Sequence, residues 1–160
     1  MKKIGMLLLA TALLFSAGCS KKLYVTPYSD SSVIKHDAQG LVTLRGVSDE
    51  FLDKKGEGKE EAVKGAHKKA LQQLFYMGYA GTDFKNGMIR KGISVETQHK
   101  AFFDKFWAGG YKQFVTNSNS KFYGCAAEKK CVSAVSEFTV NYNALRKKKK
   151  KNKVLNKIGF

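Results

Sequence analysis

Val132-Ser133-Ala134-Val135-Ser136-Glu137-Phe138-Thr139-Val140-Asn141-Tyr142 is the stretch on which the fold turns. Val132, Ala134, Phe138, Val140 and Tyr142 alternate with Ser133, Glu137, Thr139 and Asn141, the two-residue period of a strand with one buried and one wet face. Such a strand needs neighbours in a sheet and a layer over its apolar face. Leu41-Val42-Thr43-Leu44-Arg45-Gly46, flanked by Gly40 and Gly46, reads as the first clear strand, and Tyr111 to Thr116 reads as another.

The covering layer is legible between them. Val47 to Lys59 is a charged loop with Gly56 and Gly58, after which Glu60 and Glu61 open a helix where negative charge suits the dipole. Val63, Ala66, Ala70, Leu74 and Met77 follow at helical spacing, Gly65 adds another small residue for close packing on a sheet, and Gly78 is the stop. Asn86-Gly87 is a turn. Ser94 then caps a second helix in which Val95, His99, Phe102, Phe103, Phe106 and Trp107 form an aromatic core face before Gly109-Gly110. Asn143 caps a third helix carrying Leu145 and, past a lysine run, Val154, Leu155, Ile158 and Phe160. The order β, α, α, β, β, α predicts an α+β fold: one small domain, residues 40–160, with a short antiparallel sheet against two or three helices.

Upstream of that domain the chain reads as an address. Lys2 and Lys3 precede an apolar run from Ile4 to Phe15, which is a signal-peptide core, too short for a spanning helix of about 20 residues. It ends in Ser16-Ala17-Gly18 before Cys19. That ending resembles the lipobox of bacterial lipoproteins, although Ser16 stands where the family usually has an aliphatic residue. The resemblance implies removal of residues 1–18 and acylation of Cys19, and two or three acyl chains anchor a protein stably without a span. An ordinary secretory signal with an incidental Cys is the alternative. Ser20, rather than Asp, after the Cys implies the outer membrane, and the lack of an acidic run there implies a periplasm-facing domain. Residues 20–39, polar around Pro27 and Ser29-Asp30-Ser31-Ser32, read as a tether, within which Tyr24, Val25 and Tyr28 are candidates for a short edge strand.

Val42-Thr43-Leu44-Arg45-Gly46, the charged loop, Glu61-Ala62, Ala66, Ala70 and Leu74, with the later strand pair and terminal helix, are also similar to small envelope lipoproteins of the LPP20 type and to the N-terminal domain of a flagellar-assembly periplasmic protein. The span concerned is about Leu41 to Met77. This resemblance implies an accessory envelope protein and transfers no catalytic residue.

Composition narrows the partners. Among 160 residues, 29 Lys and Arg face 13 Asp and Glu, a formal charge of +16 that falls only to +14 without residues 1–18, so the basic character belongs to the folded part. With 43% apolar residues the chain builds a core and is not a disordered polycation. Arg146, Lys147, Lys148, Lys149, Lys150, Lys151 and Lys153 put seven cations in eight positions. Behind a signal peptide the anions such a run meets are phospholipid headgroups, lipopolysaccharide phosphates or an acidic envelope protein rather than nucleic acid. The plain alternative is a solvated helix face.

Catalytic and metal chemistry finds no motif. His36, His67 and His99 form no zinc spacing; His36 and His67 read as solvent-facing and His99 as packing. Gly56-Glu57-Gly58-Lys59 lacks the earlier Gly and the following hydroxyl of a phosphate loop, Asp49, Glu50 and Asp53 match no calcium loop, and no Gly-x-Ser-x-Gly elbow exists. Neither a cofactor nor a metal is expected. With Cys19 acylated, Cys125 and Cys131 remain, and in an oxidising compartment a disulfide across a hairpin loop is the natural reading, with a redox pair or metal ligation as the alternatives. The function this points to is non-catalytic binding or assembly in the envelope of a Gram-negative-type bacterium. A surface-exposed adhesin and an enzyme acting on envelope glycans are the competing classes.

Overall fold

The computed structural model of the chain describes residues 31–54, 56–124, 130–152 and 154. In chain order they form β1 (Ser32–His36), β2 (Leu41–Val47), β3 (Phe51–Leu52), α1 (Glu57–Tyr76), α2 (Ser94–Gln98), α3 (Lys100–Trp107), a 3-10 turn (Gly110–Phe114), β4 (Val115–Gly124), β5 (Cys131–Asn141) and α4 (Tyr142–Lys151). The five strands make one antiparallel sheet, and the whole is a small α+β domain.

The alternating stretch is β5, at the middle of the sheet. β4 runs along one edge of it, while β2 and the short β3 share the other; β1 lies outside β2. Register sets Val42 opposite Val140, Leu44 opposite Phe138 and Gly46 opposite Ser136. These inward side chains meet one core with Leu71, Leu74 and Phe75 of α1, Val95 of α2, Phe103 and Phe106 of α3, and Leu145 of α4. Burying each large apolar side chain contributes about 1.5–3 kcal/mol, so this cluster, with a smaller one of Ala62, Val132 and Ala134 beside Phe51 and Val63, holds sheet and helices together. The outward face carries exposed Arg45, Asn119, Lys121 and Glu137.

Close approach of α1 explains its composition. Ala62, Ala66 and Ala70 are fully buried against the sheet, and a Cβ on Gly46 would strike the Ala66 carbonyl. The helix stops at Gly78, where φ is 79° and the N–H donates to the Gln73 carbonyl at 2.7 Å, a closure open to glycine because a positive φ costs it nothing.

Several expectations need correction. The sheet begins inside the expected tether, because Ser32–His36 pairs with β2, with Val33 opposite Leu44. Tyr24, Val25 and Tyr28, expected as a possible edge strand, lie outside the described residues. The charged loop contains β3, and α1 starts at Glu57, three residues early. Met77, read as the last core position of α1, is 74% exposed, because the chain has already left the helix. The second helix is two: His99, at φ −120° and ψ 40°, breaks it, and Ser94 caps nothing, its hydroxyl donating to the Lys91 carbonyl. Tyr111 to Phe114 is 3-10 rather than strand, since the i, i+3 spacing buries both Tyr111 and Phe114 after the Gly109 bend; β4 starts only at Val115. Finally α4 is capped by Asn141, whose Oδ1 accepts from Ala144 N at 2.8 Å, while Asn143 instead donates to the Gln39 carbonyl at 3.2 Å.

Candidate functional site

The lysine run forms α4, and the helical period splits it. Leu145 and Lys149, four residues apart, share the inward face and are buried; Lys147, Lys148, Lys150 and Lys151 are exposed and Arg146 is half-buried. Lys149, expected among the anion-binding cations, is therefore unable to meet an external anion. Its Nζ lies 2.7 Å from the Phe75 ring centroid, with Phe103 and Phe106 at 5.4 and 5.7 Å, and has no hydrogen-bond partner. Burial pushes its amine down to about 6, with Glu96 acting the other way. Glu96 itself accepts from Tyr76 Oη at 2.6 Å and Trp107 Nε1 at 3.1 Å, which fixes the polar border of this aromatic box. Lys153, Cys19 and Cys125 lie outside the described residues. Cys131 opens β5 and takes part in a disulfide.

A second surface arises where the helical layer ends. α1 covers β2 and β5 but leaves the inward face of β4 without an apolar layer, so Ser118 is exposed and Phe122 is 42% exposed. The resulting groove, about 470 Å³, runs between Lys59, Val63, Lys64 and His67 of α1 and Val115, Ser118 and Phe122 of β4, with Tyr111 and Lys112 at one end.

His67 and Ser118 of its lining belong to a hydroxyl–imidazole chain that continues beneath it to Ser136 and Ser120. Ser120 Oγ donates to Ser136 Oγ at 2.9 Å, and His67 Nε2 lies 2.8 Å from Ser136 Oγ and 3.1 Å from Ser118 Oγ. Burial first, and nearby Lys112 second, push His67 down to about 4, so the imidazole is neutral near pH 7. A neutral Nε2 offers one lone pair or one proton to two hydroxyls, and the shorter contact is to Ser136. Ser118, the exposed member, also lies 3.4 Å from Ser136 Oγ. The walls are basic: Lys59 Nζ sits 5.5 Å over the Phe122 ring, Lys64 pairs with Glu61 at 3.5 Å and Lys112 with Glu60 at 3.8 Å.

His67 was expected in solvent and is 5% exposed, packed against Phe138 with centroids 4.0 Å apart. The sequence signal for this site was faint. Ser136 interrupts the inward series Val132, Ala134, Phe138, Val140, and Asn117-Ser118-Asn119-Ser120 is polar on both faces of its strand. The first marks a polar gap in the inward face of the central strand, and the second a strand at the sheet edge. The Ser136–His67 pair is not set up for nucleophilic attack, because Ser136 is fully buried and, among the described residues, no carboxylate orients the imidazole. Among those residues no group of three His, Cys, Asp or Glu side chains could hold a metal ion, and no helix is long and apolar enough to cross a membrane. No family model matches the chain, and neither a curated protein nor a solved structure matches it.

Proposed function

We propose that the chain is a lipid-anchored protein of the bacterial cell envelope, held by acyl groups on Cys19 at the periplasmic side of the outer membrane, and that it acts as a non-catalytic binding or assembly component. The observation that carries the binding part is α4. Lys147, Lys148, Lys150 and Lys151 are held on a helix that Leu145 fastens to the core, with Val154 just beyond its end, so their charges form a surface of fixed orientation rather than a loose tail. Near an anionic headgroup layer each such cation is worth on the order of 1 kcal/mol, and the attraction fades within a Debye length. Because acyl chains already supply anchoring, the helix serves to orient the domain on lipid or lipopolysaccharide phosphates or to recruit an acidic envelope protein.

The test separates the two roles. Cys19→Ala is expected to release the protein from the membrane fraction or leave its signal uncleaved, and intact-mass analysis of the wild type should show loss of residues 1–18 plus acyl mass. Replacing Lys147, Lys148, Lys150 and Lys151 by Gln should leave fractionation unchanged while weakening binding of the chain from Ser20 onward to anionic vesicles by at least about tenfold at low salt. Equal vesicle binding before and after neutralisation would reduce α4 to a solvated face.

A further inference from the structure

We propose that the groove between α1 and β4 holds an extended acidic segment of a partner protein, its carboxylates on Lys59, Lys64 and Lys112 and an apolar side chain on Phe122. This reading goes beyond the role of α4 and does not depend on it.

Shape is the first argument. From Lys59 to His67 the α1 wall is about 12 Å long at 1.5 Å per residue, and from Val115 to Phe122 the β4 wall is about 23 Å at 3.3 Å per residue. A recess of this form, about 470 Å³, accommodates several extended residues lengthwise and is concave, whereas a headgroup layer is flat.

Charge is the second. Three lysines line the groove, against Glu60 in its wall and Glu61 beside Lys64, which leaves a positive excess with Lys59 over the Phe122 ring. The Lys64–Glu61 and Lys112–Glu60 pairs are solvent-exposed and contribute little, so a ligand carboxylate exchanges into them at small cost. Ser118 places a neutral hydroxyl between the cations, above the His67 imidazole. Phe122 is the third argument: a half-exposed aromatic on an inward strand position, with the Lys59 ammonium over its ring, joins an apolar contact to a cation. An alternating acidic and apolar peptide matches this arrangement, and a basic one opposes it.

The probes are fluorescein-labelled Glu-Val-Glu-Phe-Glu-Val-Glu and its Lys-Val-Lys-Phe-Lys-Val-Lys analogue, titrated by fluorescence anisotropy against the full-length chain in neutral detergent micelles. The acidic peptide should bind in a salt-sensitive manner and the basic one should not. Combined Lys59→Gln, Lys64→Gln and Lys112→Gln should weaken binding by about tenfold or more, and Phe122→Ala by about threefold at fixed salt. Ser118→Glu, which places a like charge at an exposed position in the recess, should abolish binding while the circular dichroism spectrum stays native. Neutralising Lys147, Lys148, Lys150 and Lys151 should change affinity less than about twofold, since those side chains lie outside the groove. The proposal is overturned if the acidic peptide fails to bind, if the basic peptide binds equally well, if the groove variants leave affinity unchanged, or if the loss follows the α4 cations instead.

Discussion

Lys149 is costly to the fold that surrounds it. An ammonium without a hydrogen-bond partner is kept inside an aromatic box, and the attraction of the Phe75 face for a cation offsets only part of its desolvation. The structure therefore favours the neutral amine, with the side chain pushed from 10.5 down to about 6. Between those values the unfolded chain holds a proton that the folded chain lacks, so stability rises with pH across the window and is lost as pH falls towards 6. His67, lowered from 6.5 to about 4, acts in the same direction at lower pH: its contribution is present above 6.5 and is lost as pH falls towards 4. Lys149→Met, which keeps the volume and removes the amine, should stabilise the protein by about 2 kcal/mol at pH 7 and flatten the upper part of the urea-midpoint-against-pH curve. An unchanged slope between pH 7 and 10 would show that Lys149 is not neutral in the folded state. None of this was readable from the run of lysines, because the charge of a residue says nothing about which side of a helix faces the core until the helix is docked.

Among the elements, α1 was the most legible and also the most tightly placed. Its Ala62, Ala66 and Ala70 stripe and the glycine on β2 beneath it are two halves of one close crossing, and the small residues at helical spacing announced it. Gly46→Ala forces a methyl group against the Ala66 carbonyl, and overpacking of this kind costs about 1–3 kcal/mol. A thermal melt should show the midpoint falling by roughly 3–10 °C, and no change would mean that α1 shifts freely over the sheet. β4 was misplaced for the opposite reason. Tyr111 to Thr116 has strand-forming residues, but Gly109-Gly110 lets the chain turn, and burying Tyr111 and Phe114 together gains more than pairing them in the sheet. The true strand, Val115–Gly124, carries few apolar residues, and its inward face meets only His67 and the Lys59 side chain of α1 rather than an apolar layer, so its period-two signal is weak.

Among the described residues, exposed cations gather on the outward side of α4 and line the α1–β4 groove, while others such as Arg45, Lys85, Arg90, Lys91 and Lys121 are scattered over the rest of the surface. Cys131 takes part in a disulfide at the start of β5, and Cys125 is the partner that spacing proposes. Alkylation of the denatured, unreduced protein should leave both thiols unmodified, and Cys125→Ser should cost about 2 kcal/mol; two labelled thiols would refute the pairing. The class of the fold and its central strand were set by local patterns: alternation in Val132 to Tyr142, small residues at helical spacing in α1, and glycines at the element ends. These are properties of neighbours along the chain, so they can be read without coordinates. The burial of His67 against Ser136 and Phe138, the burial of Lys149 against Phe75, and the groove left open between α1 and β4 depend on surfaces that meet across about 50 residues or more of sequence. Those were decided only when α1 and α4 docked on the sheet, because burial belongs to a pair of surfaces and not to either one alone.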